Sequence, residues 1–176
     1  ASCCVPAWDH LGGPVLVTGG GGFLGGAIVR RLRNAGVAVR SLQRSAAPEL
    51  ERLGVEVVRG DLADREVVER AVVGCAAVFH VAAKAGVWGA RESFWRANVT
   101  GTETVLAAAQ AAGVRWFIHT STPSVVFNGQ PLAGVDERQP LGTRFPAAYP
   151  ETKAIAERMV LAADDPGGMR TVALRP

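Results

Sequence analysis

A phenol and an ammonium four residues apart are the first chemistry this chain offers. Tyr149 is its one tyrosine, and Lys153 is one of two lysines among 176 residues. On a helix, residues at i and i+4 are neighbours on one face, so the two side chains would lie side by side. A free phenol ionises near pH 10, and an ammonium beside a phenol favours its charged form. Such a pair can hand a proton to a carbonyl oxygen or take one from a hydroxyl. Pro150 follows the tyrosine directly. Proline lacks an N–H and fits the first helical turn, which places the pair at a helix start.

At the other end of the chain, Pro14 to Thr18 reads as a short buried strand that runs into Gly19-Gly20-Gly21-Gly22-Phe23-Leu24-Gly25-Gly26. A helix follows, with Ala27, Ile28, Val29, Leu32 and Ala35 on its apolar face, Arg30, Arg31 and Arg33 on its wet one, and Gly36 as its stop. Strand, glycine turn and helix form the context of a dinucleotide fingerprint. A pyrophosphate is favoured at a helix start, where free N–H groups and the dipole attract an anion. Gly19 takes the tight turn, Gly22 lets phosphates reach the main chain, and Gly25 lets the helix pack closely. A triphosphate loop needs a lysine after its last glycine, and here Gly26 and Ala27 stand instead.

A second strand, Val37 to Leu42, ends where the adenosine ribose would lie. An acid about 20 residues after the glycines would bind the 2′-hydroxyl and select NAD, whereas arginine accommodates a 2′-phosphate. No Asp or Glu occurs between Asp9 and Glu49, and the strand end offers Gln43 and Arg44, with Arg40 nearby. The expectation is NADP(H) in preference to NAD(H), with Arg44 as a bidentate phosphate partner.

Composition bounds the rest. With 48% apolar and 20% charged residues, the chain can bury a core as one domain. A net charge of +3 without an aromatic-interleaved basic patch argues against nucleic acid. No apolar run reaches the roughly 18 residues of a membrane span, and the start lacks a signal-peptide pattern, so the cytoplasm is the expected compartment. Cys3 and Cys4 are expected to be reduced thiols and Cys75 a core residue. His80 and His119 lack metal-ligand spacing, and no metal site is expected.

The pattern then alternates. Strands are expected at Val55 to Arg59, Ala77 to Val81, Arg115 to Thr120 and Thr171 to Leu174. Helices are expected from Asp64, the N-cap, to Val73, from about Glu92 to Ala112, and from around Pro150. Strands alternating with helices imply an α/β fold, a doubly wound parallel sheet of Rossmann type in three α/β/α layers. Residues 1–13 read as an amino-terminal extension and 14–176 as the dinucleotide-binding domain. The substrate-binding portion of such an enzyme would largely follow Pro176, so the chain reads as truncated ahead of it.

Five motifs in order give the chain a family resemblance: Thr18-Gly19-x-x-Gly22-x-x-Gly25, Gly60-Asp61-Leu62, His80-Val81-Ala82-Ala83, Asn98-Val99-x-Gly101-Thr102 and Tyr149-x-x-x-Lys153. The chain resembles the extended short-chain dehydrogenases/reductases of the epimerase/dehydratase superfamily. The stretches Val78 to Gly89 and Thr120 to Phe127 narrow this to the branch of 3β-hydroxysteroid dehydrogenases, sterol 4-carboxylate 3-dehydrogenases and bacterial 2-alkyl-3-oxoalkanoate reductases, the last being most similar. The resemblance implies Tyr149, Lys153 and Thr122 as catalytic residues, with Ser121 and Ser124 as alternatives to Thr122. It implies Gly19, Gly22, Phe23, Leu24, Gly25, Arg44, Asp61, Leu62, Ala82, Ala83 and Lys153 against the coenzyme. Asp61 would contact adenine or, alternatively, cap a helix entry. Asn98 would support the site from the long helix or serve structure alone.

The reaction implied is reduction of a ketone, or oxidation of a secondary alcohol, on a hydrophobic small molecule such as a 2-alkyl-3-oxoalkanoate or a 3β-hydroxysteroid. Trp88, Phe94 and Trp95 are candidates for the mouth of its pocket, and a homodimer is compatible with helices on the sheet surface. Two rival readings share the fold: a nucleotide-sugar epimerase or dehydratase with tightly held NAD, and a non-catalytic NADPH-binding sensor.

Overall fold

The structure, a computed structural model, describes residues 11–86, 88–129 and 133–176. The amino-terminal extension up to residue 10, with Cys3 and Cys4, lies outside the described residues, as does Val87. Six strands form one sheet: β1 (Val15–Thr18), β2 (Val39–Gln43), β3 (Glu56–Arg59), β4 (Ala77–His80), β5 (Trp116–Thr120) and β6 (Arg170–Leu174). Their order is β3-β2-β1-β4-β5-β6, and every pairing is parallel. The doubly wound sheet expected from the alternation is what the chain forms.

The central strands β1 and β4 are buried and largely apolar on both sides, as a sheet covered on both faces requires. Leu16, Leu42, Val78 and Phe117 face one layer, against Val68 of helix α3 (Arg65–Val72), Val105 of α5 (Gly101–Ala111) and Val160 of α6 (Ala148–Ala162). Val15, Val17, Val39 and Ala77 face the other, against Val29 and Leu32 of α1 (Phe23–Asn34) and Leu50 of α2 (Pro48–Arg52). Burying each such Val or Leu contributes about 1.5–3 kcal/mol before chain entropy is counted. Asp64 caps α3, accepting from the backbone N–H groups of Glu66 and Val67. Cys75 is buried in the first of these layers.

The long helix expected between Glu92 and Ala112 is a composite. It starts as a short α4 (Arg91–Phe94), opens into a wide π turn over Trp95–Thr100 and continues as α5. Helix α2 and a 3-10 turn over Pro123–Val126 were not expected from periodicity, because each is too short to show an amphipathic repeat. Among the described residues no helix is long and apolar enough to cross a membrane.

Candidate active site

After β3 the chain crosses to the other side of β1 and enters β4, so strands β1 and β4 are adjacent while their connections lead opposite ways. Such a switch point leaves a crevice at the carboxyl ends of the strands, where ligands bind in open α/β sheets. A cleft of about 760 Å³ occupies that position. It is lined by Gly19, Gly22, Phe23, Leu24 and Gly25 of the glycine turn and α1, and by Arg44 beyond β2. Asp61 and Leu62 line it from the segment after β3, Ala82 and Ala83 from that after β4, and Tyr149 and Lys153 from α6.

The glycine turn is a cradle that side chains would fill. Gly19 has φ +72°, a left-handed conformation, and a Cβ there would stand 3.0 Å from Ala82 Cα. A Cβ on Gly25 would overlap the carbonyl oxygen of Gly19. That closeness presses the start of α1 onto the turn itself. The N-cap of α1, Gly22, offers no side chain, and the first turn holds no acid, so its free N–H groups face an anion-sized space. A pyrophosphate fits this donor set.

Gln43 takes the place of the absent ribose acid. Its Oε1 accepts from Gly21 N at 2.8 Å and its Nε2 donates to Ser45 O at 3.0 Å. Arg44 is exposed on the cleft wall, and Glu49, which sequence reading did not single out, lines the same cleft. Arg40 turns away: it pairs with Glu56 and donates to the carbonyls of Ala71 and Val73. Asp61 is not a helix cap. Its Oδ1 accepts from Ala63 N at 2.9 Å, and its Oδ2 meets Arg96 Nε at 3.2 Å. The Ala63 N–H, then Arg96, hold its carboxyl below the usual range against the opposing pull of burial.

A buried polar chain ties β1, β4 and the long helix together under the cleft. Thr18 Oγ1 accepts from Val81 N at 3.0 Å and Ala82 N at 3.1 Å, and lies 2.9 Å from His80 Nδ1. With both lone pairs engaged, its proton must go to Nδ1. His80 Nε2 therefore carries the ring proton and donates to Thr102 Oγ1 at 2.9 Å, which in turn donates to Asn98 O. The ring is neutral on this assignment. Burial, then the charge of Lys153, lowers its pKa to about 3. Asn98, in the π turn, accepts from Lys84 N at 2.7 Å and donates to Lys84 O and to Thr152 Oγ1. It thus clamps the loop after β4 to α6.

Lys153 is 2% exposed. Its Nζ donates to Thr120 O at 2.5 Å and lies 3.4 Å from His119 Nε2. Burial lowers its pKa to about 8, opposed by Glu157 one turn on. Glu157, 1% exposed, pairs with Arg175 at 2.6 Å and accepts from the hydroxyl of Ser121. Neither Glu157 nor Arg175 was singled out from sequence, though Tyr149, Lys153 and Glu157 share the i, i+4, i+8 spacing of one helix face.

Thr122 is not among the residues lining the cleft. It caps the 3-10 turn, with Oγ1 3.2 Å from Ser124 Oγ and 3.4 Å from Ser124 N. Ser121 does line the cleft, but its hydroxyl is committed to Glu157. Of the pocket-mouth candidates, Phe94 is buried beneath the ammonium of Lys84, while Trp88 is exposed and Trp95 partly so. Among the described residues no three metal-ligating side chains gather.

Residues 16–176 match the profile of the 3-beta hydroxysteroid dehydrogenase/isomerase family. The chain belongs to that family. It is 48% identical over 166 residues to a 2-alkyl-3-oxoalkanoate reductase of Shewanella oneidensis, covering 91% of this chain and 43% of that protein. It is 43% identical to a 3 beta-hydroxysteroid dehydrogenase/Delta 5-->4-isomerase of Mycobacterium tuberculosis, covering 93% of this chain and 46% of the relative. The chain spans about half the length of the curated relatives it matches. Among solved structures, an Agrobacterium tumefaciens short-chain dehydrogenase/reductase superfamily protein with bound NAD superposes with TM-score 0.82 at 35% identity, over 92% of this chain and 48% of that one. A Thermus thermophilus UDP-glucose 4-epimerase complexed with NAD gives 0.80 at 31%, over 92% and 54%. The family members compared here are named dehydrogenases and reductases, and the fold is that of NAD-binding short-chain dehydrogenases/reductases.

Proposed function

We propose that this chain holds the coenzyme and the proton donor of an NADPH-dependent oxidoreductase that interconverts a ketone and a secondary alcohol. The substrate class is hydrophobic, of the 2-alkyl-3-oxoalkanoate or 3β-hydroxysteroid type named for its relatives. The observation that carries this reading is that Tyr149 and Lys153 line the same cleft as the glycine cradle, although about 130 residues separate them from it.

The residues present fit a dinucleotide, since Gly25 lets α1 start directly against the glycine turn, where a Cβ would meet the Gly19 carbonyl, and the first turn of α1 carries no side-chain cap and no acid to compete with a phosphate. The N–H groups at the start of α1 would hold the pyrophosphate, Asp61 and Leu62 the adenine side, Arg44 a 2′-phosphate, and Ala82, Ala83 and Lys153 the nicotinamide half. When bound, the coenzyme supplies the hydride. Tyr149 gives its proton to the substrate oxygen during reduction, and takes one from the alcohol in the reverse direction. Lys153, which lines the cleft with Tyr149, would offer its ammonium to the coenzyme. Thr122 donates a hydrogen bond to the substrate oxygen after its hydroxyl leaves Ser124, a contact long enough to exchange at small cost.

Preference for NADP(H) over NAD(H) is supported by the absence of a carboxylate at the end of β2, where the Gln43 amide is already satisfied, and by the exposed guanidinium of Arg44. The same absence disfavours an epimerase that keeps NAD bound; turnover without added coenzyme would reinstate it. The deciding experiment replaces Tyr149 by Phe in the full chain and assays reduction of a 2-alkyl-3-oxoalkanoate with NADPH. The expected outcome is a fall in kcat on the order of a hundredfold or more with coenzyme affinity kept. A kcat close to that of the parent sinks the assignment.

A further inference from the structure

His119 is a buried imidazole for which the reaction outlined above has no use. It is the penultimate residue of β5, 1% exposed, stacks on His80 with ring centroids 5.4 Å apart, and lies 3.4 Å from Lys153 through its Nε2. Its Nδ1 is the one buried side-chain nitrogen or oxygen among the described residues with no hydrogen-bond partner. An orphaned polar atom in a core costs stability and needs a reason.

The protons of Lys153 supply the reason. An ammonium has three donors and no acceptor. One proton goes to Thr120 O at 2.5 Å. If the contact to His119 is a hydrogen bond, imidazole must be the acceptor at Nε2, which forces the ring proton onto Nδ1, the atom without a partner. The fold therefore leaves a donor unpaired in order to present an acceptor to the lysine.

We propose that His119 is a positioning residue for Lys153: its Nε2 accepts from Nζ, and together with Thr120 O it fixes two of the three ammonium protons against β5, leaving the third for a ligand in the cleft. This deepens, and rests on, the reading of Lys153 as a coenzyme-holding group. The charged and titratable groups around Lys153 are few. His80 of β4 is held neutral by Thr18 and Thr102, Glu157 of α6 is paired with Arg175 just after β6, and Tyr149 lies one turn before Lys153 on α6. Burial keeps His119 neutral as well, with the charge of Lys153 adding to that effect. Two neutral rings and one compensated acid leave a hydrogen bond as the means by which β5 can favour the ammonium over the amine.

The test is a direct titration of Lys153 in the full chain carrying 13Cε-labelled lysine, its resonance identified by its loss in Lys153→Arg. In the parent, Lys153 should titrate near pH 8. In His119→Phe, which keeps the ring and removes the acceptor, its midpoint should drop by about one unit, the scale of one weak charge-assisted hydrogen bond. In His119→Gln, whose Oε1 reaches the place of Nε2, the midpoint should return to the parent value. Equal midpoints in the parent and His119→Phe overturn the inference, as does a shift in both variants alike, which would mark a packing effect. NADPH titrations on the same samples separate the two readings. If the parent fails to bind NADPH while the midpoints shift as stated, the coenzyme assignment falls and the role of His119 in holding Lys153 stands.

Discussion

Thr18 Oγ1 and His80 Nδ1 are 2.9 Å apart, and this contact joins the last residue of β1 to the last residue of β4 at the floor of the cleft. Because Thr18 also accepts from Val81 N and Ala82 N, it shapes the very segment expected to face the coenzyme. Thr18→Val keeps the volume and orphans the buried His80 Nδ1 and the partly buried N–H groups of Val81 and Ala82. Stability should fall by about 3 kcal/mol, with weaker coenzyme binding, read by urea denaturation and by NADPH titration. Unchanged stability would mean that water enters to replace the hydroxyl.

The pairing of Glu157 with Arg175 is buried, so breaking it from one side leaves an uncompensated charge. Glu157→Ala should cost about 3–5 kcal/mol, whereas the double replacement Glu157→Leu with Arg175→Met should recover much of that loss. Denaturant midpoints of the three proteins check both statements.

Arg44→Ala should weaken NADPH binding by about tenfold to a hundredfold, the scale of a charge-assisted hydrogen bond, and leave NADH binding within about twofold. Coenzyme fluorescence titrations measure it. A parallel loss for both coenzymes would place Arg44 elsewhere than at a 2′-phosphate.

Burial of Lys153 sets two opposite pH trends. Its folded pKa, about 8, lies below the ordinary 10.5, so between these values the unfolded chain binds the extra proton. Stability therefore rises as pH increases from about 8 towards 10.5, while coenzyme affinity falls over the first part of that range as the ammonium is lost. Lys153→Met should abolish both trends. Denaturation and NADPH titration across pH 7 to 10 would reveal them.

The fold was legible because long-range order here is written locally. Val15 to Thr18, the glycine turn and the apolar face of α1 each announce themselves by period or by glycine placement, and a parallel sheet follows from strand and helix alternation. That Tyr149 and Lys153 share one helix was legible for the same reason, since an i, i+4 relation is local. What sequence left out comes from crossings between distant strands. Nothing in the residues near His119 says that its ring meets Lys153, 34 positions later, and nothing near Ser121 names Glu157 and Arg175 as its anchors. In sequence, Arg40 and Arg44 both stand near the end of the second strand, with Arg44 the expected phosphate partner. Pairing with Glu56 on the neighbouring strand takes one out of the cleft.

The wide turn over Trp95–Thr100 gives the long helix a phase offset. An extra residue in one turn rotates everything ahead of it by about 100° relative to an unbroken helix. Without that offset, Phe94 and Arg91 would face other neighbours: Phe94 would leave Lys84, and Arg91 would lose Glu151, its partner at the head of α6 at 2.7 Å. One helix can thereby answer to two masters, its rear half keyed to the sheet through Thr102 and its front half keyed to the helix that bears the phenol. Shortening that turn by one residue would force the molecule to give up one alignment or the other.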